Sequence, residues 1–112
     1  MATIAYLDID QGSDFDVEMT LEDDNDVAIN LTGFQVYSQF RKSYSSVIGY
    51  SFTCSIIDAN NGVINLELLG QDSSNIKPGR YLYDVEIISN AGKKTRVVEG
   101  IVTINPEITK IP

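Results

Sequence analysis

The chemistry that this sequence could support lies mainly in its carboxylates. Carboxylate oxygens suit hard cations such as Ca²⁺, and the densest acidic stretch suggests a weak cation site at Asp23, Asp24 and Asp26. That stretch lacks the spacing and the closing Glu of an EF-hand loop, so two other interpretations stay open: an acidic surface that docks against a basic partner, and a solvated strand face. Nine acidic residues occur from residue 8 to residue 26 with no Lys or Arg among them: Asp8, Asp10, Asp14, Asp16, Glu18, Glu22, Asp23, Asp24 and Asp26.

Catalytic constellations are absent from the sequence. It contains no His, which removes most catalytic triads and zinc hydrolases. Cys54 is the one cysteine, so it forms no internal disulfide. It shares a strand face with Phe52 and Ile56, which predicts a buried thiol in the core. Asp84 and Glu86 lie two apart, but this spacing arises on any half-exposed strand, and a chain this small has little wall for a glycosidase cleft. We therefore expect no enzyme, no catalytic residue and no cofactor.

Tyrosines and basic residues are the candidates for an interaction surface. Tyrosine offers a large amphipathic area at low entropic cost, and Tyr44 lies in a polar loop, where the alternative is a tyrosine folded over the core. Basic residues near the last turn contrast with the acidic N-terminal part, which suggests an acidic end, a basic end and head-to-tail contacts between copies. The candidate interface residues are Tyr37, Tyr44, Tyr50, Lys93, Lys94 and Arg96, with Arg80 close by.

The composition indicates one globular domain. The chain has 112 residues, 43% of them hydrophobic and 21% charged, and a net charge of −8. An acidic domain does not hold a phosphate backbone by charge, so we expect no nucleic acid as a partner. No apolar run is long enough to span a membrane, and the first ten residues, MATIAYLDID, lack the pattern of a signal peptide.

Apolar residues alternate with polar ones along most of the chain, which predicts strands. Turn residues separate these runs at spacings typical of a sandwich or barrel, and an Asn-Gly pair at residues 61 and 62 marks a hairpin. We predict an all-β fold, an antiparallel immunoglobulin-like β-sandwich of about seven or eight strands, with one helical turn within residues 70–76. The domain would span residues 1–106 and a C-terminal extension residues 107–112. This extension could add a strand to a neighbouring molecule.

The segment around Tyr81 favours the sandwich over a barrel. In immunoglobulin-like domains, a tyrosine near the start of the penultimate strand bonds through its hydroxyl to backbone upstream. Gly79 and Tyr81 fit that corner as structural residues. The chain has no Trp and no second Cys, so an antibody-type domain is excluded.

Five short motifs occur in an order that resembles the immunoglobulin-like domains of tailed-bacteriophage virion proteins, of the baseplate and tail-fibre type. The resemblance implies a non-enzymatic structural or adaptor subunit located in the virion, whether in capsid decoration, tail or baseplate. It would be present in several copies or as a homo-oligomer, with other virion proteins as partners and no contact with a membrane. The alternative is a binding module for a host-surface glycan or protein. The motifs are Gly12 with Phe15, Leu31-Thr32-Gly33, Asn61-Gly62-Val63, residues 78–85 (PGRYLYDV) and residues 97–106 (VVEGIVTINP).

Overall fold

The computed structural model describes residues 2–109 and shows an all-β chain folded into two packed sheets. This confirms the predicted fold class. Within the described residues, no helix is long and apolar enough to cross a membrane. The strands are β1 (Thr3–Ile4), β2 (Leu7–Asp10), β3 (Phe15–Thr20), β4 (Gln35–Arg41), β5 (Tyr50–Ser51), β6 (Thr53–Asp58), β7 (Val63–Leu68), β8 (Gly79–Ile88) and β9 (Lys94–Asn105).

The two sheets follow the strand order of an immunoglobulin-like sandwich. The larger one, here called sheet A, has the order β1-β9-β8-β4-β5, with β2 also paired to β9. The smaller one, sheet B, has the order β3-β7-β6. In the immunoglobulin fold, the second, fifth and fourth strands form one sheet, and the third, sixth and seventh form the other. The present order matches this arrangement, with β5 as a short extra strand at the edge of sheet A.

The N-terminal strand departs from the sequence-based prediction. Residues 3–9 alternate as a single strand of the predicted antiparallel sandwich would, but the chain forms two short strands here, and both pair in parallel with β9. The break falls at Ala5, whose amide donates to the carbonyl of Glu99 at 2.9 Å. The Ala5 carbonyl oxygen then lies 1.9 Å from where a Cβ on Gly100 would stand, so only glycine fits there. Sheet A is therefore a mixed sheet whose β9 edge is covered.

The core fills the space between the sheets, and alternate residues of the long strands supply it. On β8, Tyr81, Val85 and Ile87 point inward, and Ile64 and Leu66 of β7 meet them from sheet B. This is the period-two pattern of the sequence expressed as burial. Aromatic rings form the densest part: Phe40 lies 5.1 Å from Phe52, 5.3 Å from Tyr50 and 5.5 Å from Tyr81 between ring centroids.

Three short features fix the connections. The predicted hairpin after β6 contains a one-turn 3-10 helix (Ala59–Asn61), and Gly62 ends it with a φ of 69°, which glycine accepts without strain. Helix α1 (Gly70–Ser73) is the predicted helical turn. Beyond β9, the Glu107 amide donates to the Gln11 side chain at 3.1 Å, so the chain still contacts the sandwich there. Residues 110–112 of the predicted extension lie outside the described residues.

Tyr81 closes the corner before β8. Its hydroxyl donates to the carbonyl oxygen of Lys77 at 2.5 Å, four residues upstream. The Lys42 ammonium lies 4.7 Å from the centre of the same ring. Gly79, at the start of β8, has a φ of 142°, a conformation that side chains disfavour. The ring, the hydroxyl and the glycine together fix where the chain enters sheet A.

Candidate interaction surface

The outer face of sheet A carries both charged and aromatic side chains. Side chains alternate between the two faces of β8, so Leu82, Asp84 and Glu86 point outward. Across β4, Tyr37 and Gln39 point the same way, since Tyr37 pairs with Glu86 and Gln39 with Asp84. Residues opposite each other on neighbouring strands share a face, so these side chains form one continuous surface.

A β-bulge in β9 brings a guanidinium onto this face. The pairing of β8 with β9 shifts between Val85 and Glu86, so that Val85 opposes Val98 while Glu86 opposes Arg96. The extra residue, Val97, is buried together with Val98. Without the bulge, strict alternation would direct the Arg96 side chain inward. Bulges re-aim side chains in this way.

Arg96 is held by two carboxylates. Its Nε donates to Asp84 Oδ2 at 3.1 Å, and its Nη1 donates to Glu99 Oε2 at 3.2 Å. Burial lowers the pKa of Arg96, but the two carboxylates raise it, and the net direction is upward. The side chain therefore stays charged, and Asp84 and Glu99 compensate its charge locally.

The loop of residues 42–49, between β4 and β5, is fixed by polar contacts and exposes apolar side chains. Arg41 Nη1 donates to the carbonyl oxygens of Ser46 at 3.2 Å and Val47 at 3.1 Å. The Ser43 amide donates to Ser46 Oγ at 3.0 Å. Tyr44 is 82% exposed and Val47 is 95% exposed. The loop thus presents a prearranged apolar tip, here called the loop tip and defined as Tyr44, Val47 and Ile48.

A groove of about 490 Å³ joins the loop tip to the sheet. Tyr44 lines it from the loop, Ile4 lines it from β1, and Tyr6 lines it from the link between β1 and β2. Ile4 and Tyr6 are both largely exposed. Its volume falls in the range of about 300–1,000 Å³ that is usual for ligand sites. The other lining residues are Gln39, Arg41, Ser43, Leu82, Tyr83, Asp84, Glu86, Arg96, Glu99, Gly100 and Ile101.

The predicted interface residues separate in the structure. Tyr37 and Lys94 line a second, smaller hollow on the same face of sheet A, and Tyr44 and Arg96 line the groove. Lys93 lies in the turn between β8 and β9, where its carbonyl oxygen accepts from the Ser89 amide at 2.9 Å. Tyr50 is partly buried: it pairs with Phe40 in the ladder, and its ring packs against the core aromatics. Its role as a contact residue stays a prediction.

The expected acidic and basic ends do not separate along the sandwich. Leu31 donates to the carbonyl of Ala59, and a Cβ on Gly33 would touch the Asn90 side chain, so the β3–β4 and β8–β9 connections meet at one end. The acidic turn and Lys93 therefore lie at the same end. Charge divides by face instead. The outer face of sheet B has Asp16, Glu18 and Glu67 without a base among the described strand residues.

The candidate cation site is a backbone turn in the structure. Asp23 Oδ1 accepts from the amides of Asn25 at 2.9 Å and Val27 at 3.1 Å, and Asp26 has a φ of 60°. Among residues 2–109, no three acidic, His or Cys side chains are grouped so as to hold a metal ion. Cys54 Sγ donates to the Phe52 carbonyl at 3.7 Å, and burial raises the pKa of its thiol, which reduces its reactivity.

Sequence reasoning missed the apolar side chains of this surface. The segment from Lys42 to Gly49 was interpreted as small and polar, although Val47 and Ile48 lie next to each other in it. Two adjacent aliphatic residues outside any alternating run were the available signal. Ile4 and Tyr6 share one side of the alternating run at residues 3–9, but the parallel pairing with β9 decides which side is exposed.

No protein-family model and no curated protein matches the sequence. Among solved structures, an internalin-like protein of Listeria monocytogenes is similar over 93% of this chain and 28% of its own, with 17% identity and a TM-score of 0.45. A family 123 glycoside hydrolase from Clostridium perfringens is similar over 95% of this chain and 23% of its own, with 11% identity and a TM-score of 0.42. The chain thus spans about a quarter of the length of each, and likeness at this level carries no argument about function. The class defined by the fold is an immunoglobulin-like β-sandwich.

Proposed function

We propose that this chain is a non-enzymatic structural or adaptor module that binds a neighbouring protein through the outer face of sheet A. The observation that carries the proposal is the loop tip. Arg41 fixes the loop while Tyr44, Val47 and Ile48 stay exposed, so the cost of ordering an apolar contact has already been met before binding. Prearranged aromatic and aliphatic side chains beside a polar rim are typical of binding hot spots.

The tailed-phage virion is the setting that we propose for this module. The order of motifs in the sequence supports it, and copy number provides the test. We expect mass spectrometry of purified particles to detect the chain at a multiple of three, six or twelve copies. Absence of the chain from the particle would overturn this part of the proposal.

Photocrosslinking tests the surface itself. We would place p-benzoylphenylalanine at Val47, and at Ile57 as a matched control, because Ile57 is 54% exposed on a strand of sheet B. Irradiated particles should give a defined crosslink to one virion protein from position 47 and none from position 57. Equal yields from both positions, or none from position 47, would contradict the proposed surface.

A glycan-binding module is the second candidate, and the groove gives it a specific basis. Tyr6 and Tyr44 offer exposed aromatic rings, and Asp84 and Glu86 line the same groove. Aromatic platforms beside carboxylates suit sugar rings, whose C–H groups pack on an aromatic face while their hydroxyls donate hydrogen bonds. Saturation-transfer NMR with host-surface oligosaccharides should show transfer that Tyr44→Ala removes. No transfer from any of them would eliminate this candidate.

A further inference from the structure

Among the strands of residues 2–109, β3 in sheet B has the longest regular edge without a partner. Within residues 2–109, β3 pairs with β7 alone over Phe15–Thr20. In the usual immunoglobulin arrangement, the first strand would cover this edge. Here both N-terminal strands pair with β9 in sheet A instead. The backbone of β3 is therefore left open on one side over six residues.

The other edges are short or irregular. On sheet A, β5 and β1 have two residues each and β2 has four. On sheet B, the edge strand β6 has a register shift between Ile56 and Asp58. Short strands and bulges protect edges from pairing with other chains. β3 has neither kind of protection.

The register shows which backbone groups face the open side. The Leu21 amide donates to the Gly62 carbonyl at 2.8 Å. The odd-numbered residues of β3 therefore exchange hydrogen bonds with the residues opposite them on β7. Bonded and non-bonded pairs alternate along an antiparallel ladder. The amides and carbonyls of Asp16, Glu18 and Thr20 consequently point away from β7, toward the open edge.

The side chains of β3 define what would fit. Phe15, Val17 and Met19 face the core but remain only half-buried, whereas Ile64, Leu66 and Leu68, opposite them on β7, are buried. A strand laid along β3 would cover these apolar groups. On the outer face, the same strand would meet the carboxylates of Asp16 and Glu18, which have no basic neighbour on sheet B.

We propose that β3 accepts an extended segment of a partner protein in which Lys or Arg alternates with apolar residues. Main-chain hydrogen bonds to Asp16, Glu18 and Thr20 provide the pairing, as in β-strand addition. Basic side chains of the segment lie over the β3 carboxylates, and its apolar side chains extend the core. A second copy paired through its own β3 is disfavoured, because acids would then face acids across the new ladder. This site is independent of the surface proposed on sheet A, so either proposal can fail alone.

A designed peptide tests the site. The probe is acetyl-TKVKIKVT-amide carrying a fluorophore. The control is the same peptide with a methyl group on the backbone nitrogen of each of its three lysines. When the peptide pairs antiparallel with β3, its lysines lie opposite Asp16, Glu18 and Thr20 and exchange hydrogen bonds with them. Methylation of the lysine backbone nitrogens therefore removes these donors and leaves the charge unchanged. We expect the probe to bind at low salt in an anisotropy titration and the methylated peptide to bind at least about tenfold more weakly.

Variants of β3 provide the matched comparison on the protein side. Glu18→Gln removes one charge and keeps the amide, and should weaken binding about two- to threefold. Glu18→Pro also removes the outward amide, which an edge strand tolerates, and should weaken binding about tenfold or more. Thr20→Pro against Thr20→Ala repeats the comparison without a charge change. Circular dichroism and melting curves establish that each variant is folded.

Amide hydrogen exchange separates the outcomes. Strand addition should slow exchange at Asp16, Glu18 and Thr20 in the complex and leave the turn at Asn25 unchanged. Binding that neither methylation nor proline weakens would mean adsorption by charge and would overturn the proposal. So would the absence of binding, or a dimer of this chain that Glu18→Pro dissociates.

Discussion

Sheet A and sheet B differ both at their edges and on their outer faces. Sheet A is covered along β9 by the N-terminal strands, and its outer face pairs Arg96 with Asp84 and Glu99. Sheet B ends in β3, which is uncovered within residues 2–109, and the strands of this sheet carry acids on the outer face and no Lys or Arg. One sandwich therefore has a closed side that carries ion pairs and an open side that carries acids alone.

The difference originates in where the first strand pairs. A strand that paired with β3 would have buried Phe15, Val17 and Met19 and left β9 as an edge. Pairing with β9 instead depends on Gly100, because the Ala5 carbonyl occupies the place of a side chain there. A single glycine thus contributes to the choice of which sheet remains open.

Gly100→Ala should disrupt the closed edge of sheet A. The new Cβ would lie 1.9 Å from the Ala5 carbonyl oxygen and 3.2 Å from the Tyr83 ring. Because the closest atom belongs to the backbone, the N-terminal strands must move, and we expect a loss of at least about 3 kcal/mol in the free energy of unfolding. Urea denaturation measures it. A loss below about 1 kcal/mol would show that the β1–β2 segment can shift without cost.

Alkaline pH should destabilise the closed sheet through Tyr83. Its side chain is buried, its hydroxyl has no partner among the described residues, and burial raises its pKa from 10.0 to about 12. A pKa raised on folding gives stability that is full below pH 10 and is lost as the pH rises to 12. The loss attributable to Tyr83 is about 2 to 3 kcal/mol, since each pKa unit corresponds to about 1.4 kcal/mol.

Tyr83→Phe is the control for this pH effect. The variant removes the titrating group and retains the ring that packs 6.4 Å from Phe52 between centroids. Unfolding free energies at pH 9 and pH 12 should therefore differ less in the variant than in the parent protein. Tyr81, whose pKa burial also raises, contributes equally to both proteins. Parallel pH profiles would contradict the assignment to Tyr83.

The same truncation should cost less at the open edge than in the closed sheet. Val102 on β9 is fully buried, and Val17 on β3 is only half-buried. Val102→Ala should lower the free energy of unfolding by about 2 kcal/mol, and Val17→Ala by about 1 kcal/mol. Equal losses in urea denaturation would show that another part of the molecule shields β3.

The period-two pattern was sufficient to predict most strands, the turns and the corner at Tyr81, because these depend on neighbouring residues. It could not show the parallel pairing of the first strand, which depends on contacts with residues almost a hundred positions away. The β9 bulge was also missed, although adjacent buried valines at 97 and 98 break the alternation. Such a break indicates that the following side chains change from one face of the sheet to the other. The pairing with the neighbouring strand decides which residue is the extra one in the bulge.

The candidate surface was predictable only in part, for a related reason. Four of the predicted interface residues reach one face of sheet A: Tyr37, Tyr44, Lys94 and Arg96. Tyr50 has the same chemistry but its ring packs against the core, because β5 places it beside Phe40. Residue type suggests what a side chain can do, whereas the pairing partner of its strand decides whether it reaches the surface.

Charge reversal should have opposite effects on the two outer faces. Asp16 and Glu67 are directly opposite each other on sheet B, where like charges destabilise a sheet. Glu67→Lys converts repulsion to attraction and should stabilise the protein by about 0.5 to 1 kcal/mol at low salt, with Glu67→Gln intermediate. Arg96→Glu removes both ion pairs on sheet A and should destabilise it by a similar amount. High salt should reduce both effects, since it screens exposed charges. Destabilisation by Glu67→Lys would mean that the acids of sheet B are already compensated, and the contrast between the two faces would then be one of edges alone.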